Sequence, residues 1–155
     1  YGAGGAADVA TIRTGNFIWR GSTLPPGDVV AGGAGTGSGT LNVAAERIVL
    51  GYGANSRPSG NDTDGRLVLG FASVNLSATD RITANQKGSL SVYQARGAYV
   101  PGQGYGYSGG NLTITAPLMT GAGGSVSSIT AGGDLRLVGA GVAGEVRTDT
   151  LGAQL

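Results

Sequence analysis

The residues of this chain best suited to acid–base work are nine carboxylates, at Asp8, Asp28, Glu46, Asp62, Asp64, Asp80, Asp134, Glu145 and Asp149. A glycosidase needs two of them flanking a bond in a cleft, and a polysaccharide lyase a cluster of acids with a basic residue. Spacing brings no such set together. Glu46 and Asp134 fall near different strands, Asp62 and Asp64 share one loop, and Asp80 with Arg81 and Asp134 with Arg136 read as solvent-facing ladder charges, worth little each. His and Cys are absent, which removes thiol catalysis, His-based metal sites and Ser-His-Asp chemistry together. The chain reads as a non-enzyme, with a lyase or glycosidase as the alternative.

Binding motifs fare little better. Asn61-Asp62-Thr63-Asp64-Gly65 has the flavour of a calcium loop. An EF-hand would need an acid where Gly60 stands and a Glu near Phe71, so turn-forming Asn and Asp account for it without a metal. Gly-x-Gly pairs at Gly35–Gly39, Gly51–Gly53 and Gly102–Gly106 open no helix and offer no phosphate a helix N-terminus. No metal and no cofactor is expected. Asn61, Asn75 and Asn111 begin Asn-x-Ser/Thr triplets that read as coincidence. The best binding candidates are Arg96, Tyr99, Tyr105 and Tyr107, aromatics spaced by Gly beside one cation. They could stack on sugars or pack on a partner protein, or simply fold over an adjacent face and cover apolar surface.

What must position such residues is a repeat. Gly-x-Leu-x-aliphatic occurs at Gly39–Val43, Gly65–Leu69, Gly88–Val92, Gly110–Ile114 and Gly133–Leu137, with an aromatic variant at Gly15–Trp19. The central residues Phe17, Leu41, Leu67, Leu90, Leu112 and Leu135 are 24, 26, 23, 22 and 23 positions apart. With 13 Leu and 32 Gly in 155 residues, chance supplies about 0.6 such pentads against the five present. Ten of the twelve intervening positions are polar, Ile18 and Val68 excepted. Strict alternation of this kind turns the central and final residues inward. The inward set is therefore Phe17, Trp19, Leu41, Val43, Leu67, Leu69, Leu90, Val92, Leu112, Ile114, Leu135 and Leu137. Short strands at this period, parted by Gly-rich corners, predict an all-β parallel β-helix, or β-solenoid, with coils of about 22–26 residues. Stacked pentads would put the six central residues in one buried column.

Composition agrees. Gly makes up 32 of 155 residues, charged residues only 12%, and formal net charge is +1. Apolar residues at 40% exceed what a disordered chain carries. No basic cluster is present, so nucleic acid is not an expected partner. No apolar run reaches the roughly 18 residues of a transmembrane helix. Three insertions, Gly21–Gly37, Gly51–Asp64 and Arg96–Gly109, interrupt the repeat, and recognition is expected in them. Residues 1–155 read as a single solenoid segment of a longer chain. A subunit that stacks end to end is the other reading, because uncapped sheet edges invite pairing.

Gly109-Gly110-Asn111-Leu112-Thr113-Ile114-Thr115-Ala116-Pro117-Leu118 and Thr130-Ala131-Gly132-Gly133-Asp134-Leu135-Arg136-Leu137 resemble the repeat region of filamentous-haemagglutinin-type exoproteins, exported by two-partner secretion. Ala44–Leu50 and Ser77–Ile82 are similar in style, and the resemblance covers roughly residues 39–141. It implies a right-handed parallel β-helix at the bacterial cell surface or outside the cell, and an outer-membrane transporter as partner. The roles it implies are adhesion, biofilm formation or contact-dependent inhibition. The expected function is accordingly a structural shaft or adhesin segment that presents loops to a host cell, a neighbouring cell or a matrix. The alternatives are a polysaccharide-binding or polysaccharide-cleaving β-helix and a self-stacking extracellular filament subunit.

Overall fold

The computed structural model describes residues 1–52 and 63–141. Among them the chain forms eleven strands and no helix: β1 Val9–Trp19, β2 Gly39–Leu50, β3 Asp64–Leu69, β4 Phe71–Ala84, β5 Lys87–Tyr93, β6 Ala95–Val100, β7 Gly104–Ser108, β8 Asn111–Ala116, β9 Met119–Gly121, β10 Val126–Ala131 and β11 Leu135–Gly139. Among the described residues no helix is long and apolar enough to cross a membrane. Val, Ile, Leu and Thr at every second position favour the pleated, half-buried conformation, and Gly breaks the runs between strands.

The strands sort into two parallel sheets and a hairpin. The first sheet has the order β1-β2-β4-β8-β11, with β9 beside β4. In the second, β5 lies between β10 and β3. The antiparallel pair β6–β7 stands apart from both. The chain alternates between the sheets: β2 in the first leads to β3 in the second, β4 to β5, and β8–β9 to β10. Parallel pairing forces this route, since a parallel neighbour can be reached only by a crossover.

Register builds the core. Ala10, Leu41, Val74, Leu112 and Leu135 align across the first sheet, as do Ile12, Val43, Leu76, Ile114 and Leu137. Exposure along the latter column runs from 41% at Ile12, through 1% or less at Val43, Leu76 and Ile114, to 59% at Leu137. A residue inside the column is covered by the strands on both sides, whereas one at its end is covered on one side only. Leu135 and Leu137, expected inside, are exposed for this reason at 44% and 59%. Val43, Leu90, Val92, Leu112 and Ile114 are buried in the core, and Phe17, Trp19 and Leu41 pack half-buried against it. Leu69, expected inside, instead pairs with outward-facing Tyr93 and is buried on the outer face beside Gly35.

The expected single column of six pentad centres does not form. Leu41, Leu112 and Leu135 belong to the first sheet, where Phe17 aligns with Ile48 instead, while Leu67 and Leu90 belong to the second. Leu67 also faces outward. Pairing of β3 with β5 sets Val68 beside Val92 and Arg66 beside Leu90, so Arg66 and Val68 take the inward positions and Leu67 falls opposite outward Ser91.

The first sheet bends midway. Inward residues of β2 change parity between Ala45 and Ile48 across exposed Glu46 and Arg47. Opposite them β4 carries an extra residue, since Ala45 pairs with Ala78 but Arg47 with Arg81. This bulge turns Asp80 outward between two guanidiniums, at 2.6 Å from Arg47 Nε and 3.2 Å from Arg81 Nε. Hydrogen bonds from Arg81 and then Arg47 hold the Asp80 carboxyl below its ordinary value of 3.8. A carboxyl whose pKa is depressed by folding adds stability above its unfolded pKa, and the gain is lost as pH falls through the folded value. Asp80→Asn is therefore expected to flatten the fall in urea-unfolding midpoint below about pH 4, relative to the parent chain. Equal acid sensitivity in the two would show that the pair contributes nothing.

Candidate functional site

Residues 20–27 leave β1 and cross the outer face of the second sheet. Ser22 pairs with Gly65 through two backbone hydrogen bonds of 2.9 Å, which starts the crossing at the free side of β3. Pro25-Pro26 then stiffens it, and Gly27 anchors its far end. The Gly27 carbonyl accepts from Arg96 Nη1 at 3.0 Å and from the Tyr1 hydroxyl at 3.1 Å. The Arg96 guanidinium also lies 4.0 Å from Asp28 Oδ1 and 4.2 Å from the centre of the Tyr105 ring, with only 7% of its side chain exposed.

Between the crossing and the sheet lies an open groove of ≈ 690 Å³. Its floor is the outward row Leu67, Ser89, Ser91 and Tyr93, which the register of β3 and β5 places side by side. The crossing roofs it, and Trp19, Arg20, Tyr107 and Tyr1 complete the lining. Tyr107 stacks on Tyr93 with ring centres 4.8 Å apart, and Trp19 meets Phe17 edge-on at 5.7 Å. Among the described residues no carboxylate lines the groove.

The guanidinium of Arg66 closes the base of this site. It is 5% exposed and donates from Nε to the Trp19 carbonyl at 2.6 Å, with Nη1 at 3.4 Å from the Asp64 and Ser89 carbonyls. Burial pushes its pKa below the ordinary arginine value, and the Asp64 charge and Tyr52 offset part of that shift. Donation to three carbonyls is what makes the burial of this charge tolerable. The side chain ties β3 to the end of β1, on the side where β3 lacks a neighbouring strand. Tyr52 is engaged nearby, its pKa raised chiefly by a hydrogen bond to Asp64, and its ring carries Arg20 at 5.6 Å.

The four residues singled out from sequence divide. Tyr107 lines the groove, and Arg96, outside the lining, pins its roof at Gly27. Tyr99 and Tyr105 pair edge-on at 5.2 Å toward the turn of the β6–β7 hairpin, outside the groove, and stay 59% and 41% exposed. The residues that sequence reasoning missed are Trp19, assigned wholly to the core, and the row Leu67, Ser89, Ser91 and Tyr93. Alternation in Gly88–Val92 had already marked Ser89 and Ser91 as outward, but nothing local marked that face as roofed. Of the calcium-like loop, Asn61 and Asp62 lie outside the described residues, and Asp64 is buried in β3. Among the described residues no group of three or more metal-ligating side chains gathers. Glu145 and Asp149 lie outside the described residues as well.

No family model matches this chain, and neither a curated protein nor a solved structure matches it.

Proposed function

We propose that the chain is a stretch of β-helix, serving as a non-catalytic shaft in a secreted or surface-attached bacterial protein of filamentous-haemagglutinin type. The observation that carries this reading is the repeated passage of the chain between two parallel sheets whose apolar columns stay in register. Such stacking makes a stiff body in which each strand layer supports the next, and leaves the insertions free to vary. The two described insertions support a presenting role: both converge on one face, where Arg96 of one holds Gly27 of the other. A groove with no carboxylate among its described lining residues favours attachment over cleavage, since those residues supply no acid–base pair for bond hydrolysis. Export by an outer-membrane partner and a right-handed coil belong to the same reading and rest on the resemblance of the Gly-Gly-Asn/Asp-Leu phrases.

Displayed on a non-adherent bacterium, the chain is expected to raise attachment to cells or matrix several-fold over the display scaffold alone. The purified chain is expected to release neither reducing ends nor unsaturated products from polysaccharides. Attachment no better than the scaffold's would remove the presenting role, and product release would put an enzyme in its place.

A further inference from the structure

We propose that the groove between residues 20–27 and the second sheet binds an uncharged glycan chain. The proposal builds on the attachment reading and names what is attached. It begins with hydroxyls. Ser89, Ser91 and Tyr93 follow one another at the outward positions of β5, roughly 7 Å apart. With Tyr107 opposite, these four hydroxyls make no hydrogen bond to another described residue. A row of donors and acceptors beside aromatic rings suits a sugar, whose C–H face packs on a ring while its hydroxyl edge bonds to the protein.

Charge narrows the class. With no carboxylate among the described residues of the lining, a cationic ligand finds no partner in them. The donors of the buried Arg66 guanidinium are directed at three backbone carbonyls, and the Arg20 guanidinium lies 5.6 Å from the centre of the Tyr52 ring, so specific recognition is left to the hydroxyl row. An extended peptide is disfavoured for another reason. Peptides added to sheets bond to free backbone edges, whereas β5, which carries the hydroxyl row, is paired on both sides by β10 and β3, and the outer side of β3 is already bridged by Ser22 at Gly65. What the groove offers is side chains. Its ≈ 690 Å³ lies within the usual span of small-ligand clefts, about 300–1,000 Å³.

Trp19 is the sole tryptophan and lines the groove, so its emission reports occupancy. The purified full chain is titrated with neutral oligosaccharides of glucose, xylose and N-acetylglucosamine, with oligogalacturonates and with a proline-rich peptide. A saturable change in Trp19 emission is expected with at least one neutral series. Replacing both floor serines, Ser89→Val with Ser91→Val, removes two hydroxyls at outward strand positions where valine is well accommodated, and is expected to weaken binding about tenfold or more. Ser91→Ala serves as the milder variant should the double change disturb folding, judged by circular dichroism. Tyr99→Ser, at the exposed hairpin end, is expected to leave affinity unchanged. The proposal is overturned if no neutral oligosaccharide alters emission up to roughly 10 mM. Binding of only the acidic sugar or the peptide, or indifference to the serine changes, overturns it equally. Attachment in the display assay without any titration response would sink the glycan groove alone, and titration without attachment would sink the presenting role alone.

Discussion

Leu76→Ala is expected to destabilise the chain by about 2–5 kcal/mol. Leu76 sits at the middle of the five-residue column Ile12, Val43, Leu76, Ile114 and Leu137 and is fully buried. Truncation there removes transfer energy and leaves a void that neighbours locked in parallel register cannot collapse to fill, because their backbones are held by hydrogen bonds on both sides. The loss is large beside the roughly 5–15 kcal/mol by which domains of this size exceed unfolding. The same truncation at Leu137, with 59% exposure, is expected to cost under about 1 kcal/mol. Urea-unfolding midpoints of the two variants measure the difference directly. Comparable losses would mean that burial does not follow position along the column and that the register assigned to the first sheet is wrong.

Gly110→Val is expected to cost about 2–4 kcal/mol, or to prevent folding outright. Gly110 has a φ of +89° at the corner where the chain returns from the β6–β7 hairpin to β8. A Cβ there would lie 2.8 Å from the Tyr93 carbonyl carbon and the Gln94 nitrogen, both backbone atoms that no rotamer change can move. The left-handed conformation and the contact with the preceding chain exclude a side chain independently. Gly15 is the control: its φ is not positive and an added Cβ meets nothing within 4 Å. Gly15→Ala is therefore expected to be neutral or slightly stabilising, since alanine loses less backbone entropy on folding. Thermal unfolding of both variants reads the contrast. Tolerance of valine at Gly110 would mean that the corner has freedom to re-form.

These two glycines show how far local pattern carries. Both open a Gly-x-apolar-x-apolar pentad, and from sequence both mark corners where a side chain is unwelcome. Only one does. Strand content, short spacing and the placing of the described insertions outside the sheets followed from alternation and from Gly punctuation, which act within a few residues. Membership of a sheet does not. Leu67 and Leu112 stand in the same motif, yet Leu67 faces out in the second sheet and Leu112 in at the first, because the partner strand decides which side of a pleat is covered. Val68, one of two apolar residues among the intervening positions, was the visible sign that this pentad runs out of phase.

The candidate site lay further from view. Its roof and its pin are 69 residues apart at Gly27 and Arg96, and its floor is the outward face of strands whose inward face attracted attention. No spacing rule joins such residues, for their meeting depends on where two insertions land after the sheets have stacked. What the amino-acid sequence alone determined is an all-β chain of short strands with a period of about 23 residues, because period-two alternation and glycine's permissiveness are local properties. The tertiary structure decided the rest. It divided one motif between two parallel sheets, left the ends of the columns open and roofed a row of serines and tyrosines into a groove, since burial and proximity come only from pairing between distant segments.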